Sequence, residues 1–254
     1  MRALVLLFVM LGLSLGPGAA LADASGKALD VDQDARAETG TAIKQLTVGA
    51  DIFIGDRVIT DARGLVQVKF SDSTKLVVGP NSALLIEDYL LRGDGSGGKF
   101  AINALSGTFR FVTGGAPKDR YLIETPTGTI GVRGTGFDFN VRSDQFSLML
   151  YHGAVVLCNR SNQCVTVDDA CEVGVADLRQ AQILGIATEM TQAERDQLRS
   201  IFPYAVNEAP LLGQFRIAQA RDCLNRPVTP TVQDPVSEPG GRPQLRERVV
   251  YQEP

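Results

Sequence analysis

From about Thr39 to Leu157 apolar and polar positions alternate with a period of two, and short polar or glycine-containing breaks interrupt them. Leu65, Val66, Val68 and Phe70 interleave with Gln67, Lys69 and Ser71, which predicts a strand with one buried face. Ser71-Asp72-Ser73 predicts a turn, because short polar side chains bond their own backbone. A strand resumes at Leu76 to Val78, Gly79-Pro80-Asn81-Ser82 ends it, and Leu84 and Ile86 begin another. Arg92 to Gly98 reads as a surface loop. Three glycines, Gly107, Gly136 and Gly153, each stand before a run of large apolar residues, at spacings too irregular for a strict repeat. The pattern predicts successive short strands joined through similar corners, in a solenoid-like stack or, as the alternative, a sandwich.

The period then changes. Val175 to Ile186 reads as a helix with Leu178, Ile183 and Leu184 available for one face. Thr191-Gln192-Ala193-Glu194 carries the signature of a capping box, and Pro203 stops the helix that follows. A third helix is predicted from about Pro210 to Leu224. Beyond Arg226 proline and charge dominate, which predicts a disordered tail over 226–254.

Composition adds a compartment. The first residues hold one basic side chain, Arg2, then an apolar run from Ala3 to about Leu15, then Ala20-Leu21-Ala22. This is the layout of a cleavable signal peptide over 1–22, and the run is shorter than the roughly 20 residues of a membrane-spanning helix. Without Arg2, 24 basic residues face 29 acidic ones, a net charge of about −5. That balance argues against a nucleic-acid partner or stable membrane insertion. Four cysteines in an exported chain predict two disulfides, and the favoured pairs are Cys158–Cys164 and Cys171–Cys223. The second pair brackets all three predicted helices. A zinc site would need CxxC pairs, which are missing. The expected compartment is the periplasm.

The densest local motif is Thr125 to Val141, TPTGTIGVRGTGFDFNV. A phosphate-binding loop needs lysine after its last glycine, and Phe137 stands there. Gly131, Gly134 and Gly136 reverse the dinucleotide spacing and precede a strand. The stretch therefore reads as a tight β corner in which glycine permits close backbone approach. Arg133, a charge among small residues, either pairs with Asp138 or Glu124 to hold the corner or points outward as a binding contact. His152 is the only histidine, and no GxSxG elbow is present, so no catalytic residue is assigned. Asp168, Asp169 and Glu172 lack the regular spacing of a calcium loop and read as a solvated face, so neither metal nor cofactor is expected.

Tyr121 to Gly128, then Val132-Arg133-Gly134-Thr135 and the strand from Phe137, resemble the core signature of the FecR domain family. Gly55 to Thr60, Val68 to Leu76, Pro80-Asn81-Ser82 and His152 to Val155 resemble its other elements in the same order. Ser73 departs from the glycine common after the turn aspartate. The resemblance implies a free-standing exported FecR-like protein, without the anti-sigma segment and membrane helix that precede the domain in sigma-factor regulators. It divides the chain into a linker over 23–38, a FecR-like mainly β domain over 39–157 and a disulfide-tied helical segment over 158–225. It further implies a non-enzymatic binding or sensing module that acts through an envelope protein, with Arg133 and Thr135 as the candidate contacts. The alternative is an envelope scaffold binding peptidoglycan or polysaccharide, for which Phe109, Phe111, Phe137 and Phe139 could line a sugar platform; their alternation favours core burial instead.

Overall fold

The computed structural model describes residues 24–32, 34–89, 100–115 and 121–226. The expected signal peptide, the 92–98 loop and nearly all of the expected tail lie outside them. The described chain is mainly β. Its strands are β1 (Gly26–Asp32), β2 (Ala35–Thr39), β3 (Ala42–Gln45), β4 (Asp51–Ile52), β5 (Arg57–Thr60), β6 (Leu65–Phe70), β7 (Lys75–Val78) and β8 (Ala83–Tyr89). They continue with β9 (Phe100–Val112), β10 (Tyr121–Thr125), β11 (Gly128–Val141), β12 (Gln145–Asn159), β13 (Cys164–Val167), β14 (Glu172–Asp177) and β15 (Ala181–Ile186). Together they form one hydrogen-bonded sheet of 15 strands.

The sheet is folded over into two layers. The front layer runs β4–β1–β6–β7, then the second half of β9, the second half of β11, the first half of β12, β14 and β15. The back layer runs β3–β2–β5–β8, then the first half of β9, β10, the first half of β11, the second half of β12 and β13. One apolar cluster fills the space between them, with Val68, Phe109, Phe137 and Leu148 from the front and Val58, Ile102, Ile123 and Leu157 from the back. Phe70 of the front meets Phe100 of the back edge-on, with ring centroids 4.9 Å apart.

This is the sandwich form, and the glycine device is corrected accordingly. The three glycines do not open successive short strands. They bend three long ones, β9, β11 and β12, at the points where each passes from one layer to the other. Gly107 has φ +112° and Gly153 φ +91°, conformations that side-chain-bearing residues rarely adopt. A Cβ on Gly107 would lie 2.0 Å from Ser82 Oγ, so the corner is closed as well as left-handed.

Two segment assignments also change. Residues expected as a linker supply β1 and β2, and Ala28, Ala35 and Ala37 are core residues of the sandwich. Their small side chains allow the layers to approach closely but give little apolar signal. The expected helix over Val175–Ile186 is the β14–β15 hairpin. Asp177 Oδ1 accepts from Arg179 N at 2.6 Å and from Gln180 N at 2.8 Å, and this local turn reverses the chain where a helix would have continued. Leu178 and Leu184 are left exposed, which is why their spacing mimicked a helical face.

Among the described residues helices begin only after residue 186. They are α1 (Gln192–Ile201), α2 (Pro203–Val206) and α3 (Ala220–Asn225), with short 3-10 turns at Ala187–Glu189 and Gly213–Phe215. Pro203 ends α1 and opens α2. Much of the expected third helix is therefore loop. This helical cap covers the outer face of the front layer: Leu198, Phe202, Ala205 and Ile217 pack on Met149, Tyr151 and Val173, and Leu211 and Phe215 on Leu65 and Val77. The bonds Cys158–Cys164 and Cys171–Cys223 close, and the second fastens α3 to the chain just before β14. Among the described residues no helix is long and apolar enough to cross a membrane.

The capping box forms as its sequence requires. Thr191 N donates to Glu194 Oε2 at 2.8 Å, and Glu194 N to Thr191 Oγ1 at 3.4 Å. The Thr191 hydroxyl holds the Glu194 carboxyl below its ordinary value, so this contribution is present at neutral pH and fades as pH falls through the lowered value. Thr191→Ala is expected to cost about 1 kcal/mol, read as a lower midpoint in urea denaturation followed by circular dichroism.

Candidate functional site

Two places gather the polar side chains that bear on function: the glycine corner, and the interface between sheet and cap.

At the corner, β11 slips register against β12 between Arg133 and Gly136. Thr113 secures the slip from β9's end. Its N–H donates to Thr135 O at 3.0 Å, and its hydroxyl accepts from Thr135 N at 2.9 Å. Thr135 is wholly buried and its Oγ1 has no hydrogen-bond partner among the described residues. It therefore cannot present a contact to a partner, and its part in the signature is to shape the bend. Arg133 is exposed opposite Ala154 and forms no ion pair with a described residue. Of the two carboxylates weighed as its partner, Asp138 is engaged by Arg110, and Glu124 forms no ion pair with it. His152 is exposed beside Gly136, and partial burial pushes its imidazole below the ordinary value. The stretch is a bend in a strand, with Arg133 projecting from it.

Beneath the cap lies a cluster that sequence reasoning missed. Arg110, on β9, is 1% exposed and Asp138, on β11, is 0% exposed. They stand opposite each other on the outer face of the front layer. The guanidinium donates from Nε to Asp138 Oδ1 at 2.6 Å and from Nη2 to Asp138 Oδ2 at 3.0 Å, a bidentate pair. Its Nη1 donates to Glu208 of the cap. Tyr151 donates to Asp138 Oδ2 at 2.6 Å, and its ring and that of Tyr204 flank the guanidinium at 5.3 and 5.7 Å. Burial alone would push the Arg110 pKa down, but the two carboxylates outweigh it and hold the group above its ordinary value. Burial, reinforced by the Asp138 charge, drives the Tyr151 hydroxyl well up. Arg110 stays cationic and Tyr151 neutral.

Nearby, Gln67 of β6 ties the same cap to the sheet. Its Nε2 donates to Asp30 Oδ2 at 2.6 Å and to Pro210 O at 3.2 Å, while its Oε1 accepts from Leu212 N at 2.8 Å. Glu208 also accepts from Ile217 N at 2.9 Å. The charges of Arg110, Asp138 and Glu208 are paired with one another and buried beneath the cap. Chemically the cluster is a clamp. No sequence spacing announces it, because Arg110 and Glu208 are 98 residues apart.

The four phenylalanines weighed as a sugar platform are fully buried between the layers. Phe109 stacks on Phe139 at 4.8 Å and Phe111 lies 5.4 Å from Phe137. The acidic trio does come together, with oxygens within 4.8 Å. Asp168 N and Asp169 N donate to Glu172 Oε2 at 3.0 and 3.3 Å, which shapes the loop leading to Cys171.

These features define a disulfide-bonded β-sandwich with a docked helical cap, and its two disulfides point to an oxidising, exported location. The family model described as FecR protein matches residues 56–156, so that segment of the chain is similar to the FecR family. It spans β5 through most of β12 and so contains the bends of all three long strands. No curated protein matches the chain. Two crystal structures of "a putative anti-sigma factor from Parabacteroides distasonis ATCC 8503" are similar at TM-score 0.40 and 13% identity, over 50% of this chain and 57% of theirs. The chain thus spans little more than half the length of those solved chains.

Proposed function

We propose that this protein is a non-enzymatic FecR-like binding or sensing module of the periplasm that acts through an envelope protein partner. The observation that carries the reading is the FecR match over 56–156, whose signature arginine, Arg133, projects exposed from the sheet corner. The charged groups under the cap are paired with one another and shut from solvent, so recognition falls to the outer surface. The polysaccharide reading has lost its residues, since the phenylalanines that would have carried it are core.

The test is in-cell crosslinking of the tagged mature protein followed by mass spectrometry of the captured species. Recovery of one defined envelope protein is expected, with Arg133→Ala reducing it. Because Arg133 is exposed and unpaired with any described residue, that substitution should leave stability within about 0.5 kcal/mol. Recovery of wall fragments alone, or of nothing, would overturn the proposal.

A further inference from the structure

Strand β3 ends the back layer, and all four of its residues are exposed. It pairs with β2 alone, through the register Thr39↔Ala42, Glu38↔Ile43, Ala37↔Lys44 and Arg36↔Gln45. A two-residue loop joins the strands, so Thr39 and Ala42 exchange hydrogen bonds, and the pattern alternates from there. Leu46 N donating to Ala35 O at 2.9 Å agrees with that phase. Ala42 and Lys44 therefore turn their backbone groups toward β2. Ile43 and Gln45 turn theirs outward, where no described residue meets them.

Natural sheets blunt such an edge by keeping it short or with lysine, proline, a bulge or a covering segment, and of these β3 has its shortness and Lys44. β3 has no proline, its pairing with β2 runs without a register shift, and among the described residues no strand adds to its free side. It carries the most exposed large apolar side chains of the described chain, Ile43 at 70% and, just beyond, Val48 at 66%.

A second copy of the chain is a poor occupant. Antiparallel self-pairing that satisfies all four outward groups sets Ile43 against Gln45 of the other copy. It also places Lys44 directly against its own equivalent, and like charges at that position destabilise a pair. The same lysine favours a foreign strand with a carboxylate at the opposing position. We propose that β3 is the docking edge for the protein partner: an extended segment of that partner adds beside β3, bonds the backbone of Ile43 and Gln45, sets an Asp or Glu against Lys44, and lays an apolar residue beside Ile43. This rests on the reading of the chain as a protein-binding module, and it places the contact on the back-layer edge.

The test installs a photoreactive residue at Gln45 in the full chain, expressed in its export compartment, with Arg133 as a second crosslinking position. The expected result is an adduct from position 45 that maps to a segment containing an acidic residue. Lys44→Glu should lower its yield about fivefold, and reversing the partner's acid to Lys should restore it. Ile43→Pro removes an outward N–H that has no partner in the fold, so it should abolish the adduct while the melting temperature stays within about 2 °C. If that variant does not fold, the charge reversal decides alone. Adducts from position 133 only, an adduct at 45 indifferent to Lys44→Glu, or an adduct to a second copy would each overturn the edge assignment and leave the partner reading standing. No adduct from either position would overturn both.

Discussion

Replacing Arg110 by methionine should destabilise the protein by about 3–5 kcal/mol, because it strands two carboxylates in a place water does not reach. Asp138 would lose a bidentate partner at 2.6 and 3.0 Å, and Glu208 would lose the one cation it meets among the described residues. Methionine keeps the aliphatic stem between the rings of Tyr151 and Tyr204, so the loss reports on charge more than on packing. Denaturation in urea, followed by far-ultraviolet circular dichroism because the chain has no tryptophan, measures it. Adding Glu208→Gln to Arg110→Met should recover part of the loss, since one of the stranded charges is then removed. A single-variant loss below about 1 kcal/mol would mean that solvent enters beneath the cap. The reading of the cluster as a sealed clamp would then fall.

The second large effect belongs to the bend in β9. Gly107→Ala should cost about 3 kcal/mol or more, from two causes that act together. The residue holds φ +112°, where a side chain is strained, and the new Cβ would meet Ser82 Oγ at 2.0 Å and Ser82 Cα at 2.4 Å. Ser82 cannot swing aside freely, because its hydroxyl accepts from Thr108 N at 3.0 Å and donates to Pro80 O at 3.1 Å. A second variant separates the causes. Ser82→Gly in the Gly107→Ala background removes the hydroxyl but neither the backbone contact nor the strain, so most of the loss should persist. Full recovery would show that the side chain alone closes the corner.

What could be read from the sequence follows from how local each signal is. β6 was legible because Val66, Val68 and Phe70 lie in the core while Lys69 faces outward, and alternation records that difference. The capping box was legible because all its partners lie within four residues. The β14–β15 hairpin was misread because Leu178 and Leu184 are exposed apolar residues, and a pattern method takes apolar for buried. Asp177 was the missed clue, a short polar side chain placed to close a turn. The first two strands were hidden by the opposite effect, since Ala28, Ala35 and Ala37 are buried yet barely apolar. At the site, Arg133 was seen because it interrupts a run of small residues. Arg110 was not, and Asp138 was weighed only as a partner for Arg133, because each sits in a strand whose outward face is covered only by a segment from much later in the chain. Alternation predicts that such positions face water, and the cap reverses that.

The three strands that pass through both layers have a mechanical consequence. In a sandwich whose layers meet only through side chains, packing alone opposes a small slide of one layer over the other. Here β9, β11 and β12 are continuous covalent struts between the layers, each hydrogen-bonded along both halves. Sliding would tear ladder hydrogen bonds in all three at once. A contact made at the back layer can reach the cap on the front layer only if the sandwich turns as one rigid block. The movable joints are left at its margins, where the cap meets the sheet.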